Sequence, residues 1–459
     1  MPKTQRKEQN KNPGDPLCRL ENPDAAGIDV GAEELVVAVP PDRCAKPVRT
    51  FPTFTADLHA LRDWLLECGI KTVALESTSN YWIPIYQILE DSGLKVCLIN
   101  ARHIKSINRK KTDVNDAQWL QQLHQAGLLR ASFRPDREIT PLRYVMRHRA
   151  AMVMDASRQI QLMQKALTEC NLSLHHVLSD LDGESGLRIM EAILAGERDP
   201  QVLASLRDHR CRTPLAKVLK ALEGDYRTEY LFVLGQCLNH WKQIRNAIAE
   251  CDQQIEQILA AICIPETTVP QPGQVGNYRK SAKNPIRWDV FKEAWRFYGV
   301  DLAAVPGISS STLAVLMSEL GTGAQIKEAF PSAKHFASWL GLCPENRISG
   351  GKVLTAKTRR NACRLAAALR MAAQTLGHSK SALGDLCRRL KGRLGKAEGI
   401  TAMAHKLARI LYSMILTRQP YEEAKALALT PAKKQRRIHR LLAEAKRLGF
   451  ILTPTETPA

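Results

Sequence analysis

The sequence predicts a mixed α/β domain at its amino end followed by a longer, mostly helical part. Three observations carry that prediction. Short apolar runs of strand length alternate with segments of helical periodicity between residues 25 and 135. Beyond them, apolar residues recur at helical spacing through two long stretches whose other positions are polar. A proline- and glycine-bearing linker, Pro265 to Gly276, then separates this region from the C-terminal part.

Taken in order, Ala26 to Val30 reads as a buried strand and Gly31 starts a turn. Glu34 to Val39 is the returning strand of a hairpin, and Val48 to Phe54 a third strand. Leu58, Leu61, Leu65 and Leu66 repeat at helical spacing. Thr72 to Leu75 is a second buried strand, followed by an amphipathic helix from Tyr81 to Asp91 and a strand from Lys95 to Ile99. A basic segment, Arg102 to Lys111, leads into a helix that opens on Asp113. Strand hairpin, helix, strand, helix, strand, helix is the order of a ribonuclease H-like domain. In that order the Asp29 and Glu76 strands lie side by side, and the Asp113 helix packs across their ends.

Four carboxylates punctuate this order. Asp29 lies in Ala26-Gly27-Ile28-Asp29-Val30-Gly31 and Glu76 in Thr72-Val73-Ala74-Leu75-Glu76-Ser77-Thr78. Asp113 and Asp116 are three residues apart at a helix start, so they share one helix face. Four carboxylates buried together require cations to neutralise them. Hard oxygen ligands suit Mg²⁺, which takes octahedral oxygen coordination and keeps positions open for phosphate and water. Singly, each has a plainer reading. Asp29 is a turn residue before Gly31, Glu76 an acid near a helix start, Asp113 a cap in competition with Thr112, and Asp116 a first-turn acid. The strand order favours the metal site for the four together.

Composition points to a polyanionic partner. Lys and Arg number 66 against 46 Asp and Glu, a net charge of +20, and such an excess makes binding salt-dependent. The excess is clustered. Arg102, Lys105, Arg109, Lys110 and Lys111 precede the acidic pair, and Arg347, Lys352, Lys357, Arg359, Arg360 and Arg364 surround a glycine turn. Lys433, Lys434, Arg436, Arg437, Arg440, Lys446 and Arg447 mark the C-terminal tail. Each run alone reads as a solvated helix face. The 12 cysteines show no CxxC pair and no zinc spacing, which argues for reduced thiols in a cytoplasmic setting. No apolar run is long enough to span a membrane, and Met1-Pro2-Lys3-Thr4 opens no signal-peptide pattern.

The central region is expected to hold two long helices. Met146, Met152, Met154, Ile160, Leu162 and Met163 mark the first. A near-heptad series from Leu231 to Ile258 marks the second, as in a coiled-coil arm. Farther on, Val305-Pro306-Gly307-Ile308-Ser309 before an apolar helix resembles a helix-hairpin-helix turn, whose amides approach a phosphate. Phe336, Trp339, Leu340 and Leu342 read as core. Ser349 follows in Arg347-Ile348-Ser349-Gly350-Gly351-Lys352; on chemistry alone it is a turn serine.

Several of these motifs occur together in one order. They are Gly27-Ile28-Asp29, Leu75-Glu76-Ser77-Thr78 with Tyr81, Thr112-Asp113 with Asp116-Ala117, Val305-Pro306-Gly307-Ile308, Phe336-Ala337 with Gly341-Leu342, and Ser349-Gly350. Leu365 to Ala367 and the stretch from Gly395 to Tyr412 continue the series. Over about residues 25–135 and 300–420 the chain resembles the DEDD-type insertion-sequence transposases, the bridge-RNA-guided recombinases. That resemblance implies an N-terminal RuvC-like domain, a coiled-coil arm and a C-terminal transposase domain. It implies that Asp29, Glu76, Asp113 and Asp116 bind Mg²⁺ and that Ser349 is a nucleophile joined covalently to DNA. It further implies a tetramer guided by a structured noncoding RNA that pairs with donor and target DNA. The chain departs from the family at Ser79, where glycine is usual, at Thr358-Arg359-Arg360-Asn361, which lacks a glycine before asparagine, and in an insertion around Leu187 to Leu222.

The expected organisation is a basic disordered tail over 1–24, a RuvC-like domain over 25–135 and a helical arm over 136–264. A linker and helix follow over 265–300, then a transposase domain over 301–420 and a basic tail over 421–459. Two other readings stay open: a Holliday-junction-type nuclease using water, and a non-catalytic nucleic-acid-binding protein.

Overall fold

The computed structural model describes residues 20–77, 79–100, 113–264, 284–359, 363–424 and 431–451. The chain divides into two compact units, one reaching Arg134 and the other beginning at Pro135.

The first unit is built on a five-stranded sheet. Its strands are β1 Ala25–Val30, β2 Glu34–Ala38, β3 Val48–Pro52, β4 Thr72–Glu76 and β5 Lys95–Ile99, in the order β3-β2-β1-β4-β5. The first three form an antiparallel meander, because their links are short; β4 and β5 run parallel to β1 and therefore need crossovers. Helices α1 (Thr55–Glu67) and α2 (Trp82–Asp91) make those crossovers. They cover one face of the sheet, over Ile28, Val30, Leu35, Val37, Val73 and Leu75. Helix α3 (Asp113–Gln125) covers the other, with Ala117 on Val36 and Ala38 and with Leu120 on Ala74 and Ile99. A sheet buried on both faces explains why β1 and β4 read as continuous apolar runs rather than alternating ones.

The second unit starts with two long helices, α4 (Thr140–Glu169) and, farther along the chain, α8 (Thr228–Ala261). They lie antiparallel. At one end Arg149 forks onto Asp252, with Nε to Oδ1 at 2.7 Å and Nη2 to Oδ2 at 3.0 Å. At the other, the Asp225 amide donates to the Cys170 carbonyl at 2.8 Å. The stretch around Leu187 to Leu222 folds between them as α5 (Glu184–Leu194), α6 (Pro200–Ser205) and α7 (Leu215–Leu222). Ile189, Ile193, Leu203, Val218 and Leu222 share one core with Met163 and Leu167 of α4 and with Leu234, Leu238 and Trp241 of α8. The apolar series that marks this helix is not all buried: Met154 is 65% exposed and Leu162 37%. The buried stripe follows the seven-residue row Leu142, Arg149, Ala156 and Met163, joined by Met146, Ala166 and Leu167. On α8 Val233 likewise faces outward.

The chain continues through α9 (Val290–Tyr298), α10 (Ser310–Leu320), α11 (Gly323–Ala329) and α12 (Ala333–Trp339) to a small hairpin, β6 (Arg347–Ser349) and β7 (Lys352–Thr355). Helices α13 (Arg364–Leu376), α14 (Ala382–Leu394), α15 (Lys396–Thr417) and α16 (Pro431–Arg447) complete it. Phe336 and Leu340 are core as expected, whereas Trp339 is half-buried at the edge of an aromatic cluster with Phe330 and Phe336. Tyr412 stacks on Phe336 and donates its hydroxyl to the Phe330 carbonyl. Among the described residues every cysteine is free, and no helix is long and apolar enough to cross a membrane.

Candidate functional site

Asp29 and Glu76 lie side by side at the C-terminal ends of two interior strands of the sheet. In the parallel β1–β4 pair the register runs Gly27 to Ala74 and Ile28 to Leu75, so Asp29 and Glu76 are the next step along two neighbouring strands. Strands so paired lie about 4.8 Å apart. Side chains alternate across a sheet. Ile28 and Leu75 point into the α1–α2 core, which turns Asp29 and Glu76 to the α3 face. Both are half-buried.

Helix α3 brings the second pair of acids to that end. Its contacts order it antiparallel to β1: the Asn22 amide donates to the Gln125 carbonyl at 3.1 Å, and the Gln121 amide group donates to the Ala25 carbonyl at 3.3 Å. One step on, Gly27 lies against the Ala117 carbonyl and the Gln121 nitrogen. A Cβ on Gly27 would stand 2.5 Å and 2.4 Å from those two backbone atoms, so only glycine lets the helix lie this close. From Gly27 to Asp29 is about 6.7 Å of strand. From Ala117 back to Asp113 is about 6 Å of helix. The two distances match, so the first turn of α3 arrives level with Asp29 and Glu76. Asp116 is half-buried in that turn; the side chain of Asp113 lies outside the described residues. Among the described side chains no three His, Cys, Asp or Glu are grouped as a metal would need.

At its other end α3 is held by a buried hydrogen bond between the Thr72 hydroxyl and His124 Nε2, 2.8 Å long. The same hydroxyl donates to the Lys95 carbonyl at 3.0 Å, which leaves the imidazole as donor. Burial, with Lys95 adding to it, holds the His124 ring below its usual titration range and hence neutral. Neither Gly27 nor Thr72 and His124 stands out in the sequence as a site residue. The one signal is a glycine within an otherwise buried strand, which marks a close backbone approach.

Beyond Glu76 the chain turns through Ser79, whose φ of 48° is left-handed. Glycine adopts this conformation without strain, and here the backbone keeps it with a serine in place. Trp82 Nε1 donates to the Ser79 carbonyl at 3.0 Å and offsets part of that strain.

Ser349 belongs to the second unit. It is the last residue of β6 and stands directly across from Lys352 in the β6–β7 register. Gly350 and Gly351 form the two-residue connection with φ of 54° and 75°, the pair of positive angles that a tight right-twisted hairpin requires. The serine is therefore not on an irregular turn, as the sequence reads, but at the lip of a defined hairpin, and it is exposed. Lys352, Lys357 and Arg359 around it are exposed too. The Arg347 side chain and Arg360 lie outside the described residues, as does the whole run Arg102, Lys105, Arg109, Lys110 and Lys111.

The helix-hairpin-helix-like turn is packed hard from below. Gly307 has φ of 89°, and a Cβ there would meet Leu376 at 2.9 Å and the Ala372 carbonyl at 3.0 Å, both in α13. Ser309 caps α10 by accepting from the Thr312 amide. Glu319, 6% exposed at the far end of α10, takes both prongs of Arg147 at 2.8 Å and 2.7 Å, and so bolts α10 to α4.

Two family models match the chain. One, described as a transposase of the DEDD type, matches residues 26–172, and the other, the transposase IS116/IS110/IS902 family, matches residues 301–386. A pilin gene-inverting protein of Moraxella lacunata is 28% identical over 191 residues, which are 40% of this chain and 48% of that protein. The chain thus spans about half the length of that curated relative. The first match takes in Asp29, Glu76, Asp113 and Asp116 and the second Ser349, so the two candidate centres fall one in each matched segment, and the chain belongs to the IS116/IS110/IS902 type of transposases.

Proposed function

We propose that this chain cuts and rejoins DNA to move an insertion element. The observation that carries the reading is the arrival of the first turn of α3 level with Asp29 and Glu76 on adjacent parallel strands. On this reading the first unit is a RuvC-like domain of ribonuclease H type, which its strand order supports. The α4–α8 pair is a coiled-coil arm, supported by the seven-residue row on α4.

Asp29, Glu76, Asp113 and Asp116 would together hold Mg²⁺. The donor set fits that ion, being carboxylate oxygen throughout. Held by these four carboxylates, Mg²⁺ would supply polarisation of a scissile phosphate. Ser349 is the nucleophile: its oxygen bonds to phosphorus as the bond to the 3′ oxygen breaks, and the 3′ oxygen departs as a hydroxyl, balancing the proton that the serine gives up. Lys352, across the hairpin, sets a cation beside the phosphate as charge builds on it. The protein works in the cytoplasm as a homotetramer, with a structured noncoding RNA as guide, on the strength of the family resemblance and the charge of +20. A nuclease with water as nucleophile is the second reading, favoured by the four acids lying in one compact unit and Ser349 in the other.

Purified Asp29→Asn is expected to keep its fold, to melt higher than wild type without Mg²⁺ as acidic repulsion is relieved, and to lose strand exchange. Ser349→Ala is expected to bind nucleic acid normally, cleave nothing and leave no covalent protein–DNA adduct in denaturing gels. Strand exchange by Asp29→Asn at ordinary Mg²⁺ sinks the metal assignment. Nicking by Ser349→Ala at the wild-type rate hands the function to the nuclease reading.

A further inference from the structure

The β6–β7 hairpin has a second face that the serine chemistry does not use. Ile348 stands across from Val353, and because cross-strand partners share a face, this pair points away from Ser349 and Lys352. Ile348 is 63% and Val353 58% exposed, a cross-strand apolar pair facing solvent. A two-stranded ribbon gains little from its own contacts. It keeps an exposed apolar pair at a cost in solvation, and that calls for an occupant.

The surroundings choose the occupant. Lys352, Lys357 and Arg359 are all exposed on the ribbon and the segment leaving it, and nothing stands within 4 Å of where a Cβ would sit on Gly350 or Gly351. A narrow ribbon with a bare tip and a cationic base complements a groove between two phosphate rows. Branched apolar side chains carried into such a groove press between neighbouring base pairs and unstack them. We propose that Ile348 and Val353 form a wedge that opens a base step of duplex DNA next to the phosphate presented to Ser349. The wedge and the hydroxyl then sit back to back on one ribbon, so a single docking event both bends the duplex and offers its backbone. The proposal rests on the reading of Ser349 as the residue that meets DNA.

The test uses the full-length protein and a 30-base-pair duplex of mixed sequence with 2-aminopurine beside a central TA step, a step that unstacks readily. Wild-type protein is expected to raise the 2-aminopurine fluorescence about twofold or more. Ile348→Ser with Val353→Ser abolishes the rise while binding at low salt stays within about threefold, since the cations are untouched. Both residues are exposed, so the fold survives; Ile348→Leu with Val353→Ile, which keeps the pair apolar, retains the rise. An unchanged rise in the serine double variant overturns the wedge, as does the absence of any rise with wild type. A change of oligomeric state in light scattering for the double variant also overturns it, by making the pair a contact between copies. Ser349→Ala separates the two ideas. It keeps the rise if the wedge is right, and if it also cleaves like wild type then the nucleophile reading fails while the wedge stands.

Discussion

Replacing Gly27 by alanine adds one methyl group at the place where the acidic end of the sheet is assembled. The new Cβ would lie 2.4 Å from Gln121 nitrogen, 2.5 Å from the Ala117 carbonyl and 2.9 Å from Gln121 Cα, where ordinary contact begins at 3.4 Å. All three atoms are backbone, so no side chain can swing aside, and α3 must retreat from β1 by about 1 Å. The retreat strains the Gln121 bond to the Ala25 carbonyl and the Thr72–His124 bond that anchor the helix. Overpacking of this kind costs about 1–3 kcal/mol. On the proposed reading the effect on activity is larger, because α3 carries Asp113 and Asp116, and a misplacement of about 1 Å costs on the order of 100-fold in rate. The assay pairs the urea unfolding midpoint with the rate of strand exchange at saturating Mg²⁺. Gly392→Ala is the control: it sits in α14 with open space around it, and a helical alanine there is neutral or stabilising by up to about 1 kcal/mol. Wild-type stability and rate in Gly27→Ala would refute the seating of α3 on β1, and with it the level meeting of the four acids.

Other outcomes follow from the same geometry. Asp252→Ala leaves Arg149 charged and buried at 6% exposure, and the loss is expected to be about 3–5 kcal/mol by chemical denaturation; Arg149→Met with Asp252→Leu recovers most of it. A double variant as unstable as the single one would mean that the pair is not the cause. Because His124 titrates below its ordinary 6.5 in the folded chain, its contribution is complete above that value and is lost as pH falls toward the lowered folded one. Wild-type stability should therefore drop between about pH 7.5 and about pH 5.5 by more than that of His124→Gln, and equal slopes would count against a neutral buried ring. For DNA affinity, Lys352→Ala with Lys357→Ala and Arg359→Ala should reduce the slope of log affinity against log salt by about 2–3; an unchanged slope removes the hairpin from the contact surface.

The sequence was most legible where one physical rule dominated. Burial on both faces made β1 and β4 continuous apolar runs, and the short links fixed the meander, so the strand order and the pairing of Asp29 with Glu76 could be read directly. The start of α3 was legible from the three-residue spacing of its acids, but what seats it, the absent Cβ of Gly27, is a property of the approach and not of any single helix or strand. The stretch from Leu187 to Leu222 resisted reading because its helices are short and their core lies on α4 and α8, far away in the chain. Met154 and Leu162 belong to the long helix the sequence announces yet stay exposed, because a long helix supplies more apolar positions than one partner can cover. Ser349 read as a turn residue because two glycines announce a reversal of the chain without saying that strands flank it.

The foot of the α4–α8 pair bears on how this chain can be handled as material. Arg149 also donates to the Pro285 carbonyl at 3.1 Å, and Arg245 of α8 donates to the Asn284 side chain at 2.9 Å. On the near side, Arg296 of α9 donates to the Leu259 and Ile262 carbonyls at the end of α8. The chain after residue 283 is thus tied to both helices of the pair by Asn284, Pro285 and Arg296. For a flexible connection, each doubling of length adds a closure entropy of about 0.6 kcal/mol. A reporter domain can be spliced in within residues 265–283, or the gene divided there and the halves expressed separately, with these same ties bringing the two polypeptides back together.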